Sequence, residues 1–116
     1  MVVMKLDPIY YNLIKDGKKI YETRVYDKKR QEIHLLEEII FINKDTEETF
    51  KAGVTELSYF NNFRSAIEEV GVKKVMPNAR SLTEAVELYE SFKHGSGVTY
   101  KKAAENFGVI RIKIEI

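Results

Sequence analysis

Residues 15–30 gather seven cations, Lys15, Lys18, Lys19, Arg24, Lys28, Lys29 and Arg30, against Asp16, Glu22 and Asp27, with Tyr21 and Tyr26 among them. Ammonium and guanidinium donors brought together can converge on one phosphate or carboxylate, and a planar Arg adds a bidentate grip. The segment therefore points to an anionic or nucleotide-like ligand, and it leaves open whether that ligand is bound, cut or merely read. The elements around it decide how these side chains are presented. Asp7-Pro8 opens a helix, with Asp as N-cap and Pro at the first helical position, and Ile9, Leu13 and Ile14 fall on one face. Gly17 ends that helix as a C-terminal cap. Residues 19–25 then read as a strand, with Ile20, Glu22 and Arg24 on one side and Tyr21, Thr23 and Val25 on the other. Glu22 and Arg24 thus project together.

The rest of the chain supplies the frame. Ile39 to Ile42 reads as a buried strand, Asn43-Lys44-Asp45 as a turn and residues 49–59 as an antiparallel partner, with Gly53 marking a bulge. Phe63, Ala66, Ile67 and Val70 recur at helical spacing between the cap candidates Asn61-Asn62 and a stop at Gly71. Pro77-Asn78 breaks the chain, and Ser81-Leu82-Thr83-Glu84 has the form of a capping box ahead of Ala85, Val86, Tyr89 and Phe92. Gly95-Ser96-Gly97 reads as a loop, and Thr99 caps a short helix through about residue 105. From Val109 to the end the residues alternate, with isoleucines at 110, 112, 114 and 116 facing one way and Arg111, Lys113 and Glu115 the other, which predicts a half-buried strand.

Composition narrows the function classes. The 116 residues suffice for one core, so a single domain over 1–116 is expected. No apolar run reaches membrane-spanning length, and the start Met1-Val2-Val3-Met4-Lys5 does not read as a secretory leader, which gives a cytoplasmic expectation. There is no Cys, and His34 and His94 stand without an acid or nucleophile in a recognisable pattern, so neither a metal nor a cofactor is expected. Gly95-x-Gly97 is too short for a dinucleotide signature. The net charge of +1 argues against an indiscriminate nucleic-acid binder, but residues 37–48 hold five carboxylates against Lys44, so positive and negative surfaces are expected to lie apart.

Taken in order, Gly17-x-Lys19-x-x-Glu22-x-Arg24, Tyr26-Asp27-x-Lys29-Arg30, Ile39-x-Phe41 and the closing Phe107-Gly108-Val109-x-x-Ile112 resemble the ASCH family over nearly the whole chain. The middle, from Phe63 through Gly71-Val72-x-x-Val75-x-Pro77 to the helix after Ser81, resembles the helical insertion of its compact members. The resemblance implies an α+β fold of PUA-like type, a small, curved, mostly antiparallel β-barrel with helices at its rim. It also implies a cleft for RNA or a nucleoside, lined by the Gly-x-Lys-x-x-Glu-x-Arg segment.

The chain departs from the family pattern in two places. Glu37-Glu38 stands where many relatives carry Gly-Asp, which predicts a differently shaped turn into the buried strand. Some bacterial relatives hydrolyse acetylcytidine with a Thr nucleophile, a Lys and a Glu. Here the Thr position is Glu22, Lys19 is kept and Glu56 is a loose counterpart of the acid. A carboxylate cannot serve as that hydroxyl, and alternation turns the neighbouring Thr23 to the opposite face. Relatives that carry Glu there are associated with RNA binding and with RNA cleavage.

The expected function is recognition of RNA or a nucleotide through Lys18, Lys19, Glu22, Arg24 and Arg30, with Tyr21 and Tyr26 offering rings for a base to stack on. In the enzymatic alternative, a hydrolase acting on RNA or on a modified nucleoside, Lys19, Glu22 and Arg24 are catalytic, and on RNA Glu22 takes a proton from a ribose hydroxyl while the two cations stabilise the phosphorane. A third alternative is a protein-interaction module whose charged face docks an acidic partner.

Overall fold

Residues 2–116 are described by the computed structural model. Met4 and Leu6 are buried while Val3 and Lys5 are not, and this short alternation makes Val2–Leu6 a strand, β1, that the sequence reading passes over. Helix α1 follows over Pro8–Lys15 with Asp7 as N-cap, and β2 spans Tyr21–Val25. The hairpin β3, Glu38–Asn43, and β4, Thr49–Phe60, comes next. Four helices then run in succession before the last strand: α2 Phe63–Glu68, α3 Val72–Val75, α4 Leu82–Ser91 and α5 Tyr100–Phe107. Strand β5, Val109–Glu115, closes the chain.

The strands form one mixed sheet in the order β1-β3-β4-β5-β2. β1 runs parallel to β3, with Val2 opposite Ile39, and the other three pairings are antiparallel. The expected barrel is therefore an open, curled half-barrel, because the outer strands β1 and β2 do not pair with one another. One of the few links across that gap is the Arg24 Nη2 donor, 3.2 Å from the Lys5 carbonyl oxygen.

Apolar side chains cover both faces of the sheet. Met4, Ile39, Phe41, Ile110, Ile112 and Ile114 pack on one face under Tyr11 and Ile14 of α1. On the other face, Tyr21, Val25 and Val109 meet Phe63, Ala66, Val86 and Ala103 from the helices. Burying both faces stabilises the sheet through roughly 25 cal/mol per Å2 of apolar surface removed from water.

Several local expectations are corrected by this packing. α1 buries Tyr11 and Ile14, whose positions lie over the sheet, and leaves Ile9 49% exposed. The irregularity in β4 falls between Val54 and Glu56, and Gly53 stays in register opposite Glu38 and Glu115. β5 is buried on both faces, since Arg111 is only 2% exposed beneath α2. Its guanidinium donates to the Ala66 carbonyl at 2.8 Å and to Glu69 at 2.7 Å, and it lies over the Tyr21 and Phe60 rings. The capping box is half formed: Ser81 accepts from the Glu84 amide, while the Glu84 carboxylate turns to Arg80. In the turn before β3, just ahead of Glu37-Glu38, Leu36 adopts a left-handed φ of 65° and donates its amide to the Val54 carbonyl.

Candidate functional site

Gly17 sets up the site. Its φ of +76° is readily available to glycine, and it turns the chain so that the Lys18 and Lys19 amides both reach the Leu13 carbonyl at 3.0 Å. Lys18 remains exposed, whereas Lys19 is carried inward and is 1% exposed. The Lys19 ammonium donates to the Val75 carbonyl at the end of α3 and to the Tyr89 hydroxyl of α4 at 2.7 Å, and lies 3.6 Å from Glu22 Oε1. It thus makes two hydrogen bonds and one ion pair.

Glu22 is held from several directions. Oε1 accepts from the Thr23 amide at 2.9 Å, and Oε2 lies 3.3 Å from Arg24 Nη2. β2 is an edge strand, so the Thr23 amide is not used by a further strand, and the Glu22 carboxylate bends over that free edge to reach it. This bend overturns the expected separation of Glu22 and Thr23, because both line the same cavity. The Thr23 hydroxyl is buried beside the Tyr89 phenol and lowers its pKa.

The electrostatics follow from this geometry. Burial alone would raise the Glu22 carboxyl, but Lys19, Arg24 and the Thr23 amide outweigh it and hold the group below its usual value. Burial pulls Lys19 down to about 8, with Arg24 adding to the effect and Glu22 opposing it. Desolvation raises the Tyr89 phenol well above its usual value, and the Glu22 charge adds to that. Arg24 behaves oppositely to Lys19: burial would lower it, but Glu22 and the phenols of Tyr100 and Tyr89 raise it.

Two adjoining cavities open on the gap between β1 and β2. The inner one, about 200 Å3, has Glu22, Thr23 and Arg24 on one side and Tyr10, Tyr89, Phe92 and Tyr100 among its walls. These aromatics pack edge-on, Phe92 against Tyr10, Tyr89 and Tyr100 at 5.9, 5.5 and 5.7 Å. The outer cavity, about 680 Å3, is lined by six cations, Lys5, Arg24, Lys29, Arg30, Lys44 and Lys93, against Asp27, Glu32 and Glu37. Lys5, Arg24, Lys44, Lys93 and Tyr100 border both spaces. Burial and the neighbouring Arg24 charge lower the Arg30 guanidinium, which marks two cations facing one space. Glu37, expected on a separate acidic surface, turns inward here, and its Oε1 is buried without a partner.

His94 is more organised than its sequence context suggests. Its Nε2 lies 2.7 Å from Asp27 Oδ2, and its Nδ1 lies 2.8 Å from Ser96 Oγ and 3.2 Å from the Ser96 amide. An amide can only donate, so Nδ1 accepts and Nε2 carries the proton towards Asp27. Asp27 also caps the Arg30 amide at 3.0 Å. Burial would raise its carboxyl, but the His94 and Arg30 contacts hold it low. The pairing clamps the Lys93–Gly97 loop beside the exit of β2.

Of the residues singled out from the sequence, Glu22, Arg24 and Arg30 line the cavities, and Lys19 stands behind the inner wall, braced on Tyr89. Lys18 lines neither space. Tyr21 lies in the helical core under Arg111, and Tyr26 packs against Tyr59 with ring centres 5.0 Å apart. Lys5, Tyr10, Lys93, His94 and Tyr100 were not read from the sequence as site residues. The one available signal was the run Lys93-His94 ahead of Thr99-Tyr100, cationic and aromatic groups around a Gly-rich loop. Among the described residues no group of three His, Asp or Glu is placed to hold a metal ion, and no helix is long and apolar enough to cross a membrane.

Comparisons with known proteins agree with this architecture. The crystal structure of hypothetical protein PH0355 is similar over 97% of this chain and 95% of its own, with 32% identity and a TM-score of 0.82. The solution structure of protein PF0455 from Pyrococcus furiosus is similar over 98% of this chain and 94% of its own, with 28% identity and a TM-score of 0.72. The comparison with curated proteins gave no match. The sequence pattern of the ASCH domain matches residues 4–116, and with nearly every residue of the sheet, the helices and the cleft inside that match, the chain belongs to the ASCH domain family.

Proposed function

We propose that the cleft is an RNA-recognition site that holds one nucleotide of a single strand, with the base in the inner cavity and the backbone phosphates in the outer one. The observation that carries this reading is the junction of the two spaces: a small aromatic-walled cavity opens at Arg24 and Tyr100 into a larger one lined by six cations. Single-stranded RNA presents the same sequence of chemistries, a flat apolar ring on a sugar followed by a chain of phosphates. A mononucleotide would satisfy both spaces as well, and the outer cavity, about 680 Å3, has room for more than one phosphate.

Recognition is better supported than cleavage by Glu22. A general base needs a lone pair free to take a proton and an affinity for it near working pH. Glu22 already accepts from the Thr23 amide and Arg24, and its cationic neighbours hold its proton affinity down. Nor does Lys19 reach the cavity, since it is committed to Val75 and Tyr89. These groups form a rigid wall.

The test is the binding of fluorescently labelled single-stranded RNA by anisotropy across a salt series. Phosphate contacts predict a linear fall of log affinity with log salt, and Lys93→Glu and Lys29→Glu, both on exposed rim positions, should weaken binding and flatten that slope. Affinity that ignores both salt and the charge reversals would remove this reading. Capture of an acidic protein in place of RNA would favour the interaction-module alternative.

A further inference from the structure

An imidazole stands among the cations of the outer cavity. His94 lines that space beside Asp27, Arg30 and Lys93, with its side chain 13% exposed. Its main contacts suit either charge state. Nε2 faces the Asp27 carboxylate at 2.7 Å, an acceptor for the N–H that both states carry, and Nδ1 faces the Ser96 hydroxyl at 2.8 Å, which can donate or accept. Only the Ser96 amide, 3.2 Å away, needs Nδ1 as an acceptor. A proton on Nδ1 would therefore reverse the hydroxyl contact and release the Ser96 amide, while the Asp27 contact persists. Each element packed on the ring contributes to its surroundings. The segment after β2 supplies Asp27, whose Oδ2 also lies 3.8 Å from Arg30 Nη1, and α5 supplies the Tyr100 and Phe107 rings with centres at 6.3 and 6.4 Å. Across the cavity Lys5, Arg24, Lys29 and Lys44 outnumber Glu32 and Glu37. Such an excess of cations opposes a further positive charge until an anion offsets it.

We infer that His94 is a proton-linked member of the phosphate site: it takes up a proton as an anionic backbone enters the outer cavity and adds a further positive charge there. The inference rests on the RNA-recognition reading and adds to it a residue and a dependence on pH. An anion beside the ring and a proton on the ring favour one another equally, since one coupling free energy links the two binding events. Affinity for RNA then rises as pH falls through the range where imidazole titrates, by at most about tenfold per pH unit for a single proton. Both ring nitrogens stay engaged with Asp27 and Ser96, so His94 acts on the phosphates through its charge. It also positions a second cation, because the Asp27 carboxylate that it clamps caps the Arg30 amide at 3.0 Å.

The probe is oligouridylate without a terminal phosphate, bound at constant low ionic strength between about pH 5.5 and about pH 7.5. Neither its bases nor its diesters titrate there, and the range stops short of the Lys19 value of about 8. Wild-type affinity should rise about three- to tenfold towards the acid end. His94→Gln, which keeps a donor for Asp27, should bind with nearly constant affinity across the range. His34→Gln, altered at the other histidine, should retain the full dependence, and its loss there would overturn the assignment to His94. On wild-type protein alone, the His94 ring signals followed by NMR should titrate at higher pH when RNA is saturating, with the Ser96 amide moving alongside them. Affinity that ignores pH, a His94→Gln protein that keeps the dependence, or a ring titration unmoved by RNA overturns the inference while leaving RNA recognition intact. No binding at any pH in the range overturns RNA recognition itself, and the inference with it. The ring titration needs no variant, so the inference stays falsifiable if His94→Gln does not fold.

Discussion

Lys19 and Lys93 both belong to the cleft region, yet the fold treats them in opposite ways. Lys19 is 1% exposed and spends its ammonium on Val75, Tyr89 and Glu22. Lys93 is exposed, borders both cavities and has no carboxylate partner among the described residues. The same contrast divides the region into an inner wall of mutually paired buried charges, Lys19, Glu22 and Arg24, and a rim on which Lys29 and Lys93 have no carboxylate partner among the described residues, while Arg30 pairs with Asp27 and Lys44 with Asp7. A buried ion pair repays its desolvation only when its geometry is good and its remaining donors are used, and that requirement leaves the wall rigid. Rim cations pay little desolvation and supply long-range attraction that salt can screen. Shape is thus assigned to the wall, and attraction for the backbone to the rim.

The largest expected effect breaks the wall. Lys19→Ala leaves Glu22 short of one cation and strands the Val75 carbonyl and Tyr89 hydroxyl, so unfolding free energy should fall by about 3–5 kcal/mol. Urea denaturation measures it, and a change below about 1 kcal/mol would show that the cluster is not structural.

Arg24 sits on the boundary between the two regions, with its side chain 12% exposed, and should fail in both ways. Arg24→Ala is expected to weaken RNA binding by about 1.5–3 kcal/mol and also to lower the melting temperature, because Glu22 and the Lys5 carbonyl lose a donor. Anisotropy and a thermal melt on the same sample separate the two losses. Weakened binding with an unchanged melt would move Arg24 wholly to the rim.

Titration sharpens the comparison, since the wall links protons to folding in both the acid and the alkaline range. The Glu22 carboxyl is lower in the folded chain than in the unfolded one, so its stabilisation is present above the ordinary carboxylate range and is lost as pH falls through the lowered value. Lys19, about 8 when folded against 10.5 for an ordinary lysine, has a slope of the same sign in a higher window: folding disfavours its charged form, so stability rises with pH between those two values. Denaturant unfolding across pH should show both limbs, and Lys19→Met, if folded, should lack the alkaline one.

The smallest effect belongs to the rim. Lys93→Ala should leave stability within about 0.5 kcal/mol and reduce the salt slope of RNA binding by about one. A larger loss of stability would mean that Lys93 is not free in solution.

What could be read in the sequence was local. The helix ending at Gly17, the strand carrying Glu22 and Arg24, the N-caps at Ser81 and Thr99 and the isoleucine strand at the end are patterns written within a few residues. Which face each strand shows to the cleft was not local. Tyr21 alternates with Glu22 as expected, but that other face lies under the helices, so its ring joins the core. Lys5 reaches the site because β1 pairs in parallel with β3 at one edge of the sheet while β2 lies at the other. Asp27 and His94 are 67 residues apart, and no spacing rule joins them. The cavity walls are thus made by pairings at long range, whereas the charged motif that borders them is continuous in the chain.

The central claim, that RNA is held in the gap between β1 and β2, is most directly tested by titrating single-stranded RNA into 15N-labelled protein and following the backbone amides. The account predicts saturable shifts at Lys5, Arg24, Arg30, Lys93 and Tyr100 that fade as salt is raised. Shifts confined to the Asn61–Asn62 turn and Ser65, or none at low salt, would contradict it.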